Sequence, residues 1–343
     1  MGSNSVFRLL WAKLFQHRRG STQPNISACK HRCLAATFYS KDENVNQEIT
    51  ILDAGMGKAL KMQGVEIPET IWSANALLVA PEKVQKIHEE NILAGATMIT
   101  TNTYSVIRSD LKKVGIEDQF KALNLQAAGL ARAAIKATGK DVKIAGCLPP
   151  LNGSFRPDRV MPVDQIELLY REQAETLAPH VDMFLCETMS HINEAIAAAR
   201  AARSTGKPVI VSFTLHEENP GKLRSGQSLE DAINDLREID LAGLCANCTL
   251  PERISDAMPI LAKSNLKYVG GYANAFTRVP EDWLLDGAKA TDGPLSLRDD
   301  LSPEVYSKFV SHWINHGATL VGGCCGTLPA HIAAIAASLR SRS

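Results

Sequence analysis

The densest group of reactive side chains in the sequence is a pair of adjacent cysteines between glycines, Gly322-Gly323-Cys324-Cys325-Gly326-Thr327. Glycine removes side-chain bulk, so backbone and thiols can turn toward one point. A third thiol, Cys248, stands far upstream in Asn247-Cys248. Three thiolates make a soft donor set suited to Zn2+, and three protein ligands instead of four leave a position for substrate. A free thiol, with a pKa of about 8.5, is mostly protonated at neutral pH, and coordination to zinc deprotonates it. The chemistry such a site favours is alkyl transfer onto a thiol.

An amino acid carrying that thiol needs anionic partners for its ammonium group and N–H donors for its carboxylate. Asp53 and Glu187 can supply the first, and the loop Ala54-Gly55-Met56-Gly57 can supply the second through its backbone. Other readings of the same residues remain. Asp53 and Glu187 could be structural hydrogen-bonding groups. Cys245-Ala246-Asn247-Cys248 is formally a C-x-x-C, which reads as a redox pair or as half of a four-cysteine structural zinc site with Cys324 and Cys325. On a strand, residues three apart point to opposite faces, so Cys245 and Cys248 converge only if the chain turns between them. Cys147 and Cys186 read as packing. A zinc hydrolase with water in the open position is a further option, as is a barrel that only binds. No His-rich ligand set appears among the nine histidines.

These residues have to be positioned by something regular. Short apolar runs at Ile49–Asp53, Thr97–Thr101, Val142–Gly146, Met183–Glu187, Val209–Phe213, Gly243–Asn247, Tyr268–Gly271 and Thr319–Gly322 read as strands. Helix-like stretches follow at 82–95, 117–138, 164–179, 191–203, 228–239, 251–263, 303–316 and 329–340, several opened by signals such as Ser302-Pro303 with Glu304. Near-continuous apolar strands alternating with helices mean a parallel sheet covered on both faces. Eight such units predict an α/β fold of the closed (β/α)8 TIM-barrel type in a single domain, residues 46–343. Active sites of these barrels lie at the strands' C-terminal ends. Asp53, Asn102, Tyr104, Glu187, Asn247, Cys248, Asn274, Cys324 and Cys325 all follow strands, so all should face one mouth.

Charge balance narrows the partners. Thirty-seven basic and 37 acidic residues cancel, which argues against non-specific grip on nucleic acid or an anionic membrane. No run approaches the roughly 20 apolar residues of a membrane span. Residues 1–45 form a separate basic segment: from Met1 to Lys41 there is no acidic residue, while Phe7, Leu9, Leu10, Trp11, Leu14 and Phe15 can line one face of a short helix. That is the make-up of a transit peptide, predicting a mitochondrial or other organelle matrix, with an unaddressed tail of a cytoplasmic protein as the alternative. Eight cysteines without a secretory signal, four of them in two tight clusters, fit a metal site in a reducing compartment better than disulfides. Nothing here requires or excludes a homo-oligomer.

The segments Leu52-Asp53-Ala54-Gly55-Met56-Gly57, Thr101-Asn102-Thr103-Tyr104, Glu187-Thr188, Asn247-Cys248 and Gly322 to Thr327 resemble, in the same order, those of the homocysteine S-methyltransferase family. The resemblance spans residues 48–341 and implies homocysteine and a small methyl donor as substrates and methionine as product. It also implies Cys248, Cys324 and Cys325 as zinc ligands. Asp53, Gly55, Met56, Gly57, Glu187 and Asn247 would be homocysteine-binding residues, and Tyr104 a catalytic residue beside the metal. Ala54 departs from the family's usual glycine, the segment Gly271-Tyr272-Ala273-Asn274-Ala275 has alanine where many members have proline, and the loop Leu148 to Asp158 departs from the version associated with S-methylmethionine users. The donor therefore stays open between sulfonium and quaternary ammonium compounds.

Overall fold

A computed structural model describes residues 48–289 and 292–341. The basic segment 1–45 and its boundary with the barrel lie outside these residues. In chain order the elements are β1 (Thr50–Ile51), α1 (Met56–Met62), α2 (Asn75–Val79), α3 (Pro81–Ala94), β2 (Met98–Thr100), α4 (Arg108–Lys113), α5 (Phe120–Thr138), β3 (Lys143–Leu148) and α6 (Val163–Leu177). They continue with β4 (Met183–Met189), α7 (Ile192–Arg203), β5 (Val209–Phe213), α8 (Leu229–Asp235), β6 (Gly243–Asn247), α9 (Pro251–Leu261), β7 (Tyr268–Ala273), α10 (Pro303–Asn315), β8 (Leu320–Gly323) and α11 (Pro329–Arg340).

All eight strands pair in parallel in the order β1-β8-β7-β6-β5-β4-β3-β2. The seam between β1 and β2 closes through one bridge, Leu52 to Met98. Thr97 strengthens it: its N–H donates to Ile51 O at 2.8 Å, and its hydroxyl accepts from Ile51 N at 3.0 Å. The result is the predicted (β/α)8 barrel. No helix among the described residues is long and apolar enough to cross a membrane.

Strand alternation sorts the side chains into two cores. Leu52, Met98, Ala145, Leu185, Ile210, Cys245, Tyr272 and Leu320 fill the barrel interior, whereas Ile144, Phe184, Cys186, Val209, Val211 and Val321 face the helix ring. Period two then fixes what stands one layer above the interior plug. Two residues beyond Ala145, Leu185 and Cys245 are Cys147, Glu187 and Asn247, which must look into the barrel mouth.

All eight expected strands and eight expected helices are present, with shifted ends. Helices α1, α2 and α4, inside the first two βα connections, were not anticipated; they are five to seven residues long, too short for a clear 3.6-residue pattern. The first matters most, because Met56 and Gly57 open a helix instead of continuing a loop.

Helix α10 is locked onto the strand ends by Tyr306. Its hydroxyl accepts from Ala273 N at 2.8 Å and donates to Gly322 O at 2.8 Å. Tyr306→Phe leaves both buried backbone groups without that partner, so a loss of about 1–3 kcal/mol is expected. Thermal unfolding should show a midpoint lower by a few degrees, and an unchanged midpoint would refute the role.

Candidate active site

The Sγ atoms of Cys248, Cys324 and Cys325 lie within 4.8 Å of one another, the one such cluster of potential metal ligands among the described residues. Their convergence is built into the backbone. Cys248 has φ +49°, an uncommon conformation for a residue other than glycine. That turn ends β6 and redirects Cys248, fixed by its N–H on Tyr272 O at 3.2 Å. Cys245 points into the core below and takes no part in the cluster.

The other two cysteines are held by the loop after β8. Cys324 N donates to Ala273 O at 2.9 Å, Ala275 N donates to Cys325 O at 2.8 Å, and the Thr327 hydroxyl donates to Cys324 O at 2.7 Å. Gly55 is required here because a Cβ would come 2.5 Å from Cys324 O. Gly57 is likewise required, since a Cβ there would come 2.3 Å from Trp72 Nε1. The cluster thus sits between β6, β8 and the start of α1. The three thiols titrate as a set: hydrogen bonds from Cys248 and Cys324 hold Cys325 well below the usual thiol range, while Cys248 and Cys324 are pushed up. A set in which two thiols donate to a third, stabilised as thiolate, suits a soft cation.

Two buried carboxyls flank the sulfurs. Asp53 accepts from Thr100 N at 3.0 Å and from the Thr100 hydroxyl at 3.1 Å. Glu187 accepts a hydrogen bond from the Cys147 thiol at 2.8 Å. Burial pushes both carboxyls up to about 8, and the Cys324 sulfur adds to the effect on Glu187. Cys147 is therefore not mere packing, as its sequence context suggested, whereas Cys186 does face the helix ring.

Asn247 is engaged at both ends of its amide. Its Oδ1 accepts from Thr188 N at 2.8 Å, and its Nδ2 donates to the Thr188 hydroxyl at 3.0 Å and lies 3.9 Å from Cys324 Sγ. Thr188 has φ +64° and marks a register irregularity in β4. Tyr104 stands across the mouth with its hydroxyl 2.8 Å from Ser154 Oγ, and its ring meets Trp72 edge-on at 6.4 Å between centroids. Burial, reinforced by the Cys248 sulfur, holds the phenol well above its ordinary range, so it stays protonated. Gly55 N donates to Thr327 Oγ1 at 3.4 Å, while the N–H groups of Met56 and Gly57 belong to the first turn of α1 and have no partner within it. Asn102 is tied to Ser73 by two hydrogen bonds and Asn274 caps its own loop through Phe276 N.

Sequence reasoning did not single out Thr100, Trp72, Ser154, His88 or Asn91, and it quoted Thr188 only as part of the Glu187-Thr188 motif. Asn91 accepts from Ala54 N at 3.0 Å, and His88 Nδ1 lies 4.0 Å from Asp53 Oδ2. Both occur in a helix whose apolar pattern carries no mark of a site; only their polarity on its buried face could have signalled them.

A barrel with a three-thiol cluster and two buried carboxyls at its mouth is the class of protein that fold and site define. A family model described as homocysteine S-methyltransferase matches residues 50–339, and the chain belongs to that family. It is 26% identical over 318 residues to homocysteine S-methyltransferase 4 of Zea mays, covering 84% of this chain and 89% of that one. Identity to the homocysteine S-methyltransferase of Escherichia coli (strain K12) is 27% over 310 residues, 85% of this chain and 95% of the other. Among solved structures, the metallated form of the homocysteine methyltransferase MmuM from Escherichia coli superposes with a TM-score of 0.72 at 26% identity. That match covers 85% of this chain and 96% of that one.

The two carboxyls give the ligand-free protein a pH signature. An unfolded Asp or Glu titrates near 4, so between about 4 and 8 the folded state holds protons that the unfolded state has released. Their contribution to stability is fully present below pH 4 and is lost as pH rises through 8. Chelator-treated protein is expected to melt at falling temperature from pH 5 to 8, and an Asp53→Asn/Glu187→Gln double variant should show a flatter profile. Parallel profiles would contradict the buried, protonated state of these groups.

Proposed function

We propose that this enzyme holds zinc on Cys248, Cys324 and Cys325, binds homocysteine through Asp53, Glu187 and the start of α1, and methylates it to methionine. Membership of the homocysteine S-methyltransferase family assigns methyl transfer to homocysteine; the ion, the residue roles and the product are our reading. What carries it is the convergence of three sulfurs from β6 and β8 beside two buried carboxyls. When bound, zinc keeps a substrate thiol deprotonated at neutral pH.

The remaining work falls to the chain's own groups. Asp53, after β1, and Glu187, in β4, give an incoming ammonium two anionic partners, and its positive charge draws both carboxyls back toward ionisation. The N–H groups of Met56 and Gly57 are oriented for the carboxylate. Asn247 sets the height of Glu187 and Thr188 relative to Cys324. The faces of Trp72 and Tyr104 suit a cationic donor, since a sulfonium or quaternary ammonium group is attracted to aromatic rings. Transfer is an in-line displacement: the homocysteine sulfur forms the new S–CH3 bond as the donor's C–S or C–N bond breaks, and the donor leaves as a neutral sulfide or amine. No general base is needed.

Cys324→Ala is expected to lose stoichiometric zinc and to lower methionine formation by more than a hundredfold while the barrel still folds. Full activity without zinc would overturn the assignment. Supplying homocysteine with betaine, S-methylmethionine, S-adenosylmethionine or dimethylsulfoniopropionate in turn identifies the donor. The acid-free N-terminal segment is read as a transit peptide to a mitochondrial or other organelle matrix. An intact Met1 on protein purified from organelles would contradict its removal.

A further inference from the structure

Helix α3 lies against the loop between β1 and α1 and presents two polar side chains from its buried face, His88 and Asn91. Positions i and i+3 on a helix are neighbours on its surface, so the two residues address adjacent points of the loop. Asn91 Oδ1 accepts from Ala54 N at 3.0 Å, while its Nδ2 donates to Ile87 O at 3.0 Å. Its polarity is fully used. His88 is different: it has no solvent exposure, and neither ring nitrogen has a hydrogen-bond partner. Buried polar atoms without partners are rare and call for a reason. The Asp53 carboxyl faces it, with Oδ2 at 4.0 Å from Nδ1, beyond hydrogen-bond reach.

We propose that His88 is a positioning residue for the substrate's ammonium group: its Nδ1–H closes onto Asp53 Oδ2 when homocysteine binds and Asp53 becomes a carboxylate.

In the ligand-free site Asp53 is protonated, pushed up to about 8 by burial, and Thr100 alone satisfies it. An ammonium entering the mouth favours the ionised form, and the proton leaves Asp53 for solvent. A carboxylate in a dry pocket wants more donors than the neutral acid. One of its oxygens must turn to the ammonium, and His88 can then replace part of the water that the carboxylate would otherwise need.

The choice of histidine has a physical logic. Burial lowers the imidazole to about 4, so it donates as a neutral group. A lysine or arginine at this place would pair with Asp53 and cancel the charge meant for the substrate. A neutral donor supports the carboxylate and leaves its charge for the ammonium.

The inference rests on the reading of Asp53 as an ammonium partner, so the test measures binding without any methyl donor. Zinc-loaded, full-length protein is titrated calorimetrically with homocysteine and with 4-mercaptobutyrate, which has the same thiol and carboxylate but no ammonium. His88→Phe removes the donor and keeps an aromatic ring; His88→Leu is the smaller substitute should Phe overpack the site. His88→Asn keeps an N–H near the position of Nδ1. Expected is a loss of about tenfold or more in homocysteine affinity for His88→Phe or His88→Leu, no more than a twofold change for 4-mercaptobutyrate, and recovery of most of the loss in His88→Asn. Equal losses for both thiols, or homocysteine affinity within twofold of wild type, would overturn the role of His88 alone. A wild-type protein that binds 4-mercaptobutyrate as tightly as homocysteine would overturn the ammonium role of Asp53, and failure to bind either thiol would sink the proposed function itself.

Discussion

Three sulfurs have to occupy one small volume at the end of a parallel barrel, and strand geometry alone does not bring them there. Period-two alternation sends Cys245 and Asn247 inward and would send Cys248 outward into the helix ring. The left-handed turn at Cys248, φ +49°, reverses that direction. Thr188, at φ +64°, makes a comparable departure at the end of β4, and Trp72 and Phe155 do so in the loops above. Such conformations cost on the order of 1–3 kcal/mol each where the residue is not glycine. They persist because partners fix them: Asn247 holds Thr188 through both its N–H and its hydroxyl, and Tyr272 O receives Cys248 N. Of the five non-glycine residues with positive φ among the described residues, only Asn265 belongs to an ordinary helix end. The rest of the strain is gathered around the mouth.

The same layer settles the electrostatics. Sulfur atoms and two buried carboxyls share a space partly shielded from water, and like charges there cannot all be expressed together. In the ligand-free protein burial keeps Asp53 and Glu187 protonated, hydrogen bonds from Cys248 and Cys324 push Cys325 down, and the conflict is eased. A cationic amino group and a metal ion would relieve it equally well. The site is thus complementary to positive charge at two distinct points, one beside the sulfurs and one between the carboxyls.

Much of this was legible in the sequence for a definite reason. Strand-end positions carry their chemistry one residue at a time, so Asp53, Glu187, Cys248 and the Cys324-Cys325 pair stood out against apolar runs, and the eight runs themselves announced the barrel. What stayed hidden acts through the third dimension. His88 and Asn91 sit 35 and 38 residues from Asp53 on a helix whose pattern reads as core. Thr100 is one threonine among four in a Thr-rich stretch, and only the register of β2 against Asp53 distinguishes it. Short α1 was masked because Gly55 and Gly57 look like loop residues, whereas they are small so that Cys324 and Trp72 can approach. The C-x-x-C spacing of Cys245 and Cys248 misleads for the converse reason, since sequence proximity there separates two layers of the barrel.

The long connection between β7 and α10 gives the site its cover. Val279 and Trp283 from this segment pack with Phe155 from the third βα loop and with Cys248, and Leu285 and Leu295 pack against them. Trp283 is held by its Nε1–H on Gly293 O at 2.9 Å. Beneath, Glu217 accepts from Val279 N at 2.9 Å, and Arg224 donates to Val279 O and Pro280 O and lies over the Phe155 ring. An apolar roof fastened by buried polar pins keeps water out without making the roof itself polar. That arrangement matters for a reaction between an anion and a cation. If, as proposed, a thiolate meets a sulfonium or quaternary ammonium donor, opposite charges vanish, and a water-poor cavity would penalise the separated ions more than the transition state in which they merge. On the proposed function the roof would lower the barrier as the three cysteines would activate the nucleophile, and the two are joined physically at Cys248, which belongs to both.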